Sequence, residues 1–392
     1  MKLQDKKVAI IGAGPGGLTL AKLLQLKGVN VNVYERDLNK NARVQGSPLD
    51  LHDDSGLAAL IKAGLMTEFK NNFLLKADRM KILDENANVL FSDHDTKVVE
   101  DFGSPYFRPE IDRGALRKML LESLHPETVV WDRHFSSMEK HNDGWLLHFH
   151  NANTVYADIV VAADGANSKI RPYVTDIKAF YSGIVMLEGV IYDAENTAPK
   201  ISGLLDGGKI MAFGNTKGIL MGQKGNGEIG FYASFKADEN WAAYSGLNFN
   251  DKDQLLEWFK TTYSEWSNSW AGLFENATTP FIPRPIYCMP LDQTWESLPN
   301  LTLLGDAAHV MPPFAGEGVN MAMLDALELS EYLTSDKYST IHQAIAAYEK
   351  GMQKRAAKAA KESLENGELM HSEKALNTML EFFNGHQTNL FT

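Results

Sequence analysis

The stretch VAIIGAGPGGLTLAKLLQLKGVNVNVYERD, residues 8–37, decides the fold class. Val8–Ile11 is an apolar run closed by Gly12, the mark of a buried strand entering a tight turn. Leu18, Leu20, Ala21, Leu23, Leu24 and Leu26 then recur at helical spacing until Gly28 stops the helix. Val29, Val31 and Val33 alternate and lead into Tyr34-Glu35-Arg36. Strand, helix, strand in this order predicts a βαβ unit and therefore a parallel sheet.

The turn itself reads Gly12-Ala13-Gly14-Pro15-Gly16-Gly17, a G-x-G-x-x-G sequence. Gly12 permits the turn, Gly14 lets backbone approach a pyrophosphate, and Gly17 lets helix and strand pack closely. The helix that follows aims its free N–H groups and positive dipole end at phosphate. Glu35, at the end of the second strand, is placed to accept from ribose hydroxyls. The bare pattern recurs at Gly225-Asn226-Gly227-Glu228-Ile229-Gly230, but strand-like residues 231–235 follow it. Without a helix N-terminus that copy has nothing to offer a phosphate, and it reads as a hairpin turn. A first loop of this kind does not by itself separate FAD from NAD.

Outward from this unit, helical spacing covers residues 56–69, 110–124, 251–274, 319–333 and 341–369. Thr128–Trp131, Asp158–Ala163 and Leu301–Leu304 read as further strands. Residues 179–235 change texture to alternating apolar positions with many glycines, the pattern of an antiparallel sheet. The aromatic residues of 251–274, among them Phe259 and Trp266, are expected in a core. The expectation is an α/β (α+β overall) protein: a Rossmann-like dinucleotide-binding domain, an inserted antiparallel-sheet domain and a long C-terminal helix. Residues 1–73, 103–178 and 290–333 form the first, 74–102 and 179–289 the second, and 334–392 the helical segment.

With 392 residues the chain exceeds one ordinary core. Its formal net charge of −12 argues against nucleic acid as a partner. The single cysteine, Cys288, excludes an intrachain disulfide and reads as a small buried hydrophobe. Residues 1–7 are polar, and no apolar stretch approaches the ~20 residues that span a bilayer. A cytoplasmic monomer without membrane attachment, and without a metal ion, is expected.

Three more segments, together with the phosphate loop, resemble the class A flavoprotein monooxygenases of the aromatic-hydroxylase type. Residues 158–171 hold Asp164-Gly165, residues 303–309 hold Gly305-Asp306, and residues 312–320 read PPFAGEGVN. Closer still, Tyr34-Glu35-Arg36-Asp37, residues 49–52, Glu110-Ile111-Asp112-Arg113, residues 128–133 and residues 311–316 resemble the tetracycline-inactivating monooxygenases, the tetracycline destructases. The resemblance implies FAD held by Glu35, Arg36, Asp50, Arg113 and Asp306, with Arg43 meeting NADPH and Gly316 beside the substrate. Asp306, after a buried strand, would reach the sugar-alcohol chain of the cofactor. Gly316 and Gly318 would admit a flat ring, and the helix start at Val319-Asn320 would face the flavin's pyrimidine edge. Asp164 is expected to fix its turn and the cofactor's surroundings, and Phe314 to line the substrate site.

Where the family grips tetracycline with a glutamine and an arginine, this chain has Glu188 and Lys209, and Gly230 stands in place of a family histidine. Lys209 keeps the charge without the planar fork, and Glu188 turns an amide into an anion. The implied reaction is hydride transfer from NADPH to flavin, then oxygen transfer from O₂ to an electron-rich carbon through a flavin C4a-hydroperoxide. The tetracycline-like substrate would be hydroxylated and so inactivated, with no catalytic residue assigned. The alternatives are the same chemistry on another aromatic or polyketide substrate, and a flavin-containing protein that sequesters the drug. A Trp-x-Trp-x-Ile-Pro run, which would point to a halogenase, is missing.

Overall fold

The computed structural model describes residues 2–41, 48–95, 101, 102, 104, 107–150 and 152–389. Arg43 lies outside them.

The opening motif builds the centre of a five-stranded parallel sheet. Its order is Leu301–Leu303, Ile159–Ala162, Val8–Ile11, Val31–Tyr34, Val129–Val130. Val8–Ile11 and Ile159–Ala162 are buried along their whole length, which is why they read as unbroken apolar runs. Helix Pro15–Leu26 packs beside helix Gly318–Thr334, and Gly16 makes this possible. A Cβ there would lie 2.8 Å from the Leu304 side chain and 2.9 Å from the Ala322 carbonyl. A three-stranded antiparallel sheet, Phe135–His141, Gly144–Phe149 and Ala152–Ala157, joins this layer, with Phe149 stacked on Tyr34 at 5.2 Å.

A second, seven-stranded sheet has the order Thr278–Cys288, Phe180–Ile191, Ile229–Lys236, Lys217–Gln223, Lys209–Gly214, Met80–Asp84, Val89–Ser92. All neighbours are antiparallel except Lys209–Gly214 beside Met80–Asp84. Val185, Leu187, Ile210, Ala212, Ile219, Phe231 and Ala233 bury one face against Leu255, Phe259, Trp270 and Phe274. The aromatic residues of 251–274 are therefore core. The segment 225–230 runs from a turn into the strand Ile229–Lys236, antiparallel to Lys217–Gln223, as its hairpin reading requires.

Three helices are shorter than their sequence periodicity. The 56–69 stretch breaks at Gly64, which takes φ +72° and caps Gly56–Ala63 before Met66–Lys70 begins. In 110–124 the helix starts at Arg113, because Glu110–Ile111 is a strand. The helix from Lys252 stops at Thr262, and Trp266 reaches the core from the turn beyond it. At the other end, Ile341–Met370 is one helix of 30 residues, and a second, Ala375–Asn389, follows it. Among the described residues no helix is long and apolar enough to cross a membrane.

Candidate cofactor and substrate site

At the phosphate loop, Gly12 takes φ +111°, and a Cβ there would sit 2.3 Å from the Ala163 carbonyl oxygen. A Cβ at Gly17 would lie 2.2 Å from the Gly12 carbonyl. Gly14 is different: a Cβ there meets no heavy atom within 4 Å. The first and third glycines thus serve packing, and the second faces open space. Glu35 is buried, and its carboxylate accepts from the Ala13 N–H at 2.6 Å and the Asp37 N–H at 3.1 Å. Arg117, which the sequence reading passed over, locks the same loop. Its guanidinium donates to the Ala13 carbonyl at 3.1 Å and the Asp37 carboxylate at 3.1 Å. Arg36 is exposed beside it.

Asp306 opens the short helix Asp306–His309, directly after the strand Leu301–Leu303. A buried network holds this turn: Asp325 accepts from the Gly305 N–H at 2.9 Å, pairs with His309 at 2.6 Å and takes Arg355 at 2.7 Å. Arg171, in the Asp-Gly segment, donates to the Ala307 and Ala308 carbonyls at 3.2 and 2.7 Å, so the two motifs are clamped together. Burial lowers Arg171 to about 10. Asp164 accepts from the Lys169 N–H at 2.8 Å and fastens its own turn.

The loop Pro313–Ala315 ends at Gly316, which takes φ +69°. Helix Gly318–Thr334 then begins, and its first intrahelical bond runs from Met321 N–H to Glu317 carbonyl. The amides of Gly318, Val319 and Asn320 precede that bond and point out of the helix end. The Asn320 side chain is fully buried and acts inside the protein. It donates to the Asp50 carbonyl at 2.9 Å and the Gly316 carbonyl at 3.2 Å, and accepts from the His52 N–H at 2.9 Å. Phe314 packs on the C-terminal helix, where a Cβ on Gly367 would lie 2.8 Å from its ring.

The three-stranded sheet around Glu110–Ile111 sets Asp50 directly opposite Glu110. Lys209 donates to the Glu110 carboxylate, and Asp50 lies within its electrostatic reach. Burial works against the Lys209 charge, but Glu110 and Asp50 outweigh it and raise its pKa. His52 bridges Asp50 at 3.0 Å and Glu317 at 3.5 Å. Here too burial opposes the charge, and the two carboxylates win, raising His52 to about 9.

The open face of the seven-stranded sheet completes the cleft. Register lines up Glu188, Tyr232, Leu220, Met211 and Ile82 in one row across five strands. The adjacent row runs Val190, Gly230, Gly222, Lys209, Met80. Met211, Leu220 and Phe314 belong to one apolar cluster, which brings the loop at 313–316 against this face. Glu188 is paired with Arg284 of the edge strand. Arg113 feels Tyr232, Asp306, Glu188 and Arg284, so cofactor-side and sheet-side residues meet around it. Arg113 and Asp306 are both accessible to solvent, yet desolvation is the leading influence on each, lowering the first pKa and raising the second. Side chains that line a deep cleft behave so. Gly14 and Gly318, where an added Cβ would touch nothing within 4 Å, leave room along the same path. These residues fit FAD.

A family model described as an FAD binding domain matches residues 5–185 and 297–363. This chain belongs to that family. It is an FAD-dependent monooxygenase of the aromatic-hydroxylase type. The monooxygenase is 28% identical over 429 residues to monooxygenase penA of Penicillium thymicola, covering 95% of this chain and 97% of penA. Its fold is similar to that of Klebsiella pneumoniae HpxO complexed with FAD and uric acid, with a TM-score of 0.75 at 21% identity, covering 97% and 93% of the two chains. It is similar also to tetracycline destructase Tet(51), with a TM-score of 0.70 at 19% identity, covering 96% and 94%.

Proposed function

We propose that this monooxygenase draws electrons from NADPH and adds one oxygen atom to a tetracycline-like substrate, inactivating the antibiotic. The row Glu188, Tyr232, Leu220, Met211 carries the reading: it is polar at one end and apolar at the other, and it faces the loop at Phe314 and Gly316. A flat fused-ring molecule with one polar edge matches such a floor. The fold shared with Tet(51) supports the reading.

In this reading Glu35 holds the ribose, Asp306 the sugar-alcohol chain, and Gly14 admits the pyrophosphate on a turn that Gly12 and Gly17 hold. Arg36, Arg113 and Asp50 complete the cofactor's surroundings, and Arg43 meets NADPH. Bound FAD supplies hydride uptake and oxygen activation. The amides at Gly318, Val319 and Asn320 offer donors to negative charge at the helix end. The sheet row orients the substrate, and its apolar half with Phe314 excludes water from it. Lys209, held by Glu110, stands in the adjacent row. Asp164 and the Asn320 side chain position backbone.

The ion pairs of Glu188 with Arg284 and of Lys209 with Glu110 favour a second reading, the same chemistry on another aromatic or polyketide substrate. HpxO, seen with uric acid, shows the same fold around a small heteroaromatic ring. One experiment separates the readings. Protein loaded with FAD is incubated with NADPH, air and tetracycline, and the product is weighed by mass spectrometry. A product heavier by one oxygen, formed only with O₂, supports the proposal. Drug-stimulated NADPH loss that yields only peroxide removes the tetracycline claim, and tight drug binding without turnover would mean sequestration.

A further inference from the structure

The sheet face that floors the cleft carries three cations, and two of them are committed. Lys209 is bound to Glu110, with Asp50 beside it. Lys236 is bound to Glu368 of the long C-terminal helix at 2.7 Å. Arg284 is the third. It stands on the edge strand Thr278–Cys288, opposite Met186 and therefore on the same face as Glu188. Its Nε donates to the Glu188 carboxylate, and its side chain is 51% exposed while Glu188 is only 13% exposed. Among the described residues the two terminal nitrogens of Arg284 make no hydrogen bond. A guanidinium fixed through Nε by a half-buried carboxylate keeps its other edge oriented, so little freedom is lost when that edge is used.

We propose that Arg284, held by Glu188, receives a delocalised oxyanion of the substrate, an enolate or phenolate oxygen conjugated with the ring to be hydroxylated. The inference rests on the reading that substrate lies on this sheet row. It moves the planar fork, which position 209 lacks, to position 284. It also gives Glu188 a role as an anion: positioning Arg284 in place of contacting the ligand. An electron-rich ring is a better partner for an electrophilic oxygen when ionised, so a site that prefers the oxyanion serves the reaction as well as binding.

The test uses FAD-loaded protein and two probes, tetracycline and uric acid. Each is titrated against the flavin absorbance spectrum across the pH range in which it ionises. The wild type is expected to bind more tightly as the probe loses its proton. Arg284→Met is expected to weaken the ionised probe about ten-fold and to flatten that pH dependence, since the pair is half-exposed and a charge-assisted hydrogen bond is at stake. Arg284→Lys should fall between, keeping charge without the fork. FAD content reports that each variant is folded. Equal affinity and equal pH dependence in wild type and Arg284→Met would overturn the proposal. So would tighter binding of the neutral probe, or no spectral response to either probe in the wild type. If uric acid binds through Arg284 and tetracycline does not bind, the tetracycline reading falls and Arg284 keeps its role.

Discussion

Single residues carry the sharpest expectations. Asp306 is accessible yet desolvated, and the network behind it fixes the turn without covering the carboxylate. Asp306→Ala is expected to weaken FAD retention by about ten- to a hundredfold, the range for losing a charge-assisted hydrogen bond. Released FAD, measured after gel filtration, checks this. His52 supplies a pH signature. Its folded pKa of about 9 lies above the ordinary 6.5, so protonation favours the folded state. The stabilisation is complete below pH 6.5 and disappears as pH rises through about 9. It amounts to about 3 kcal/mol. Urea melts of wild type and His52→Gln between pH 6 and 10 should show a stability gap that narrows upward. A gap that stays constant would mean that the imidazolium is not what joins Asp50 to Glu317.

At the scale of elements, the second and third glycines of the phosphate motif should behave oppositely. Gly14 lies in the β/extended region, and a Cβ there would touch nothing. Gly14→Val should leave the stability of the FAD-free protein within about 0.5 kcal/mol while abolishing FAD binding. Gly17→Ala, with backbone 2.2 Å from the new carbon, should destabilise the FAD-free protein by about 1–3 kcal/mol. Thermal melts and flavin absorbance of both variants separate the two effects. This unit was legible in the sequence because local rules, glycine placement and apolar periodicity, specify it unaided. The Glu110–Asp50–Lys209 cluster was not. Glu110 continues an apolar spacing that looks helical, and only a two-residue strand pairing, fixed by distant partners, turns it toward Asp50. Arg284 was hidden for a related reason: its face is set by register across the sheet, which the spacing within one strand does not reveal. The placements of Glu188 and Lys209 came from resemblance, and their ion partners came from neither source.

Across the whole molecule, Asp325 ties three elements together. It joins the Gly305–His309 turn, its own helix Gly318–Thr334, and Arg355 of helix Ile341–Met370, at 1% side-chain exposure. Asp325→Ala leaves His309 and Arg355 without their common partner and should cost about 3–5 kcal/mol. FAD would be lost in the same step, since Asp306 depends on that turn. The long helix also holds the loop beside Gly316: Ser363 donates to the Pro312 carbonyl, and Asn366 to the Phe314 carbonyl at 3.1 Å. Helix Ala375–Asn389 then packs through Leu376, Met379 and Phe383 into the cluster that contains Met211 and Phe213.

The direct pairing of Val160 with Leu301 has a consequence for how such enzymes are varied. The chain leaves the parallel sheet at Ala162 and re-enters it at Leu301, on the adjacent strand about 4.8 Å to the side and two residues back along it. Up to the Arg171 clamp the chain still serves the cofactor half, and the segment beyond it is strung from two nearby anchors. The intervening segment, with its companion strands at 80–92, is therefore a cassette. A homologous segment whose ends lie equally close can be grafted onto the same anchors, carrying a new specificity onto an unchanged redox engine.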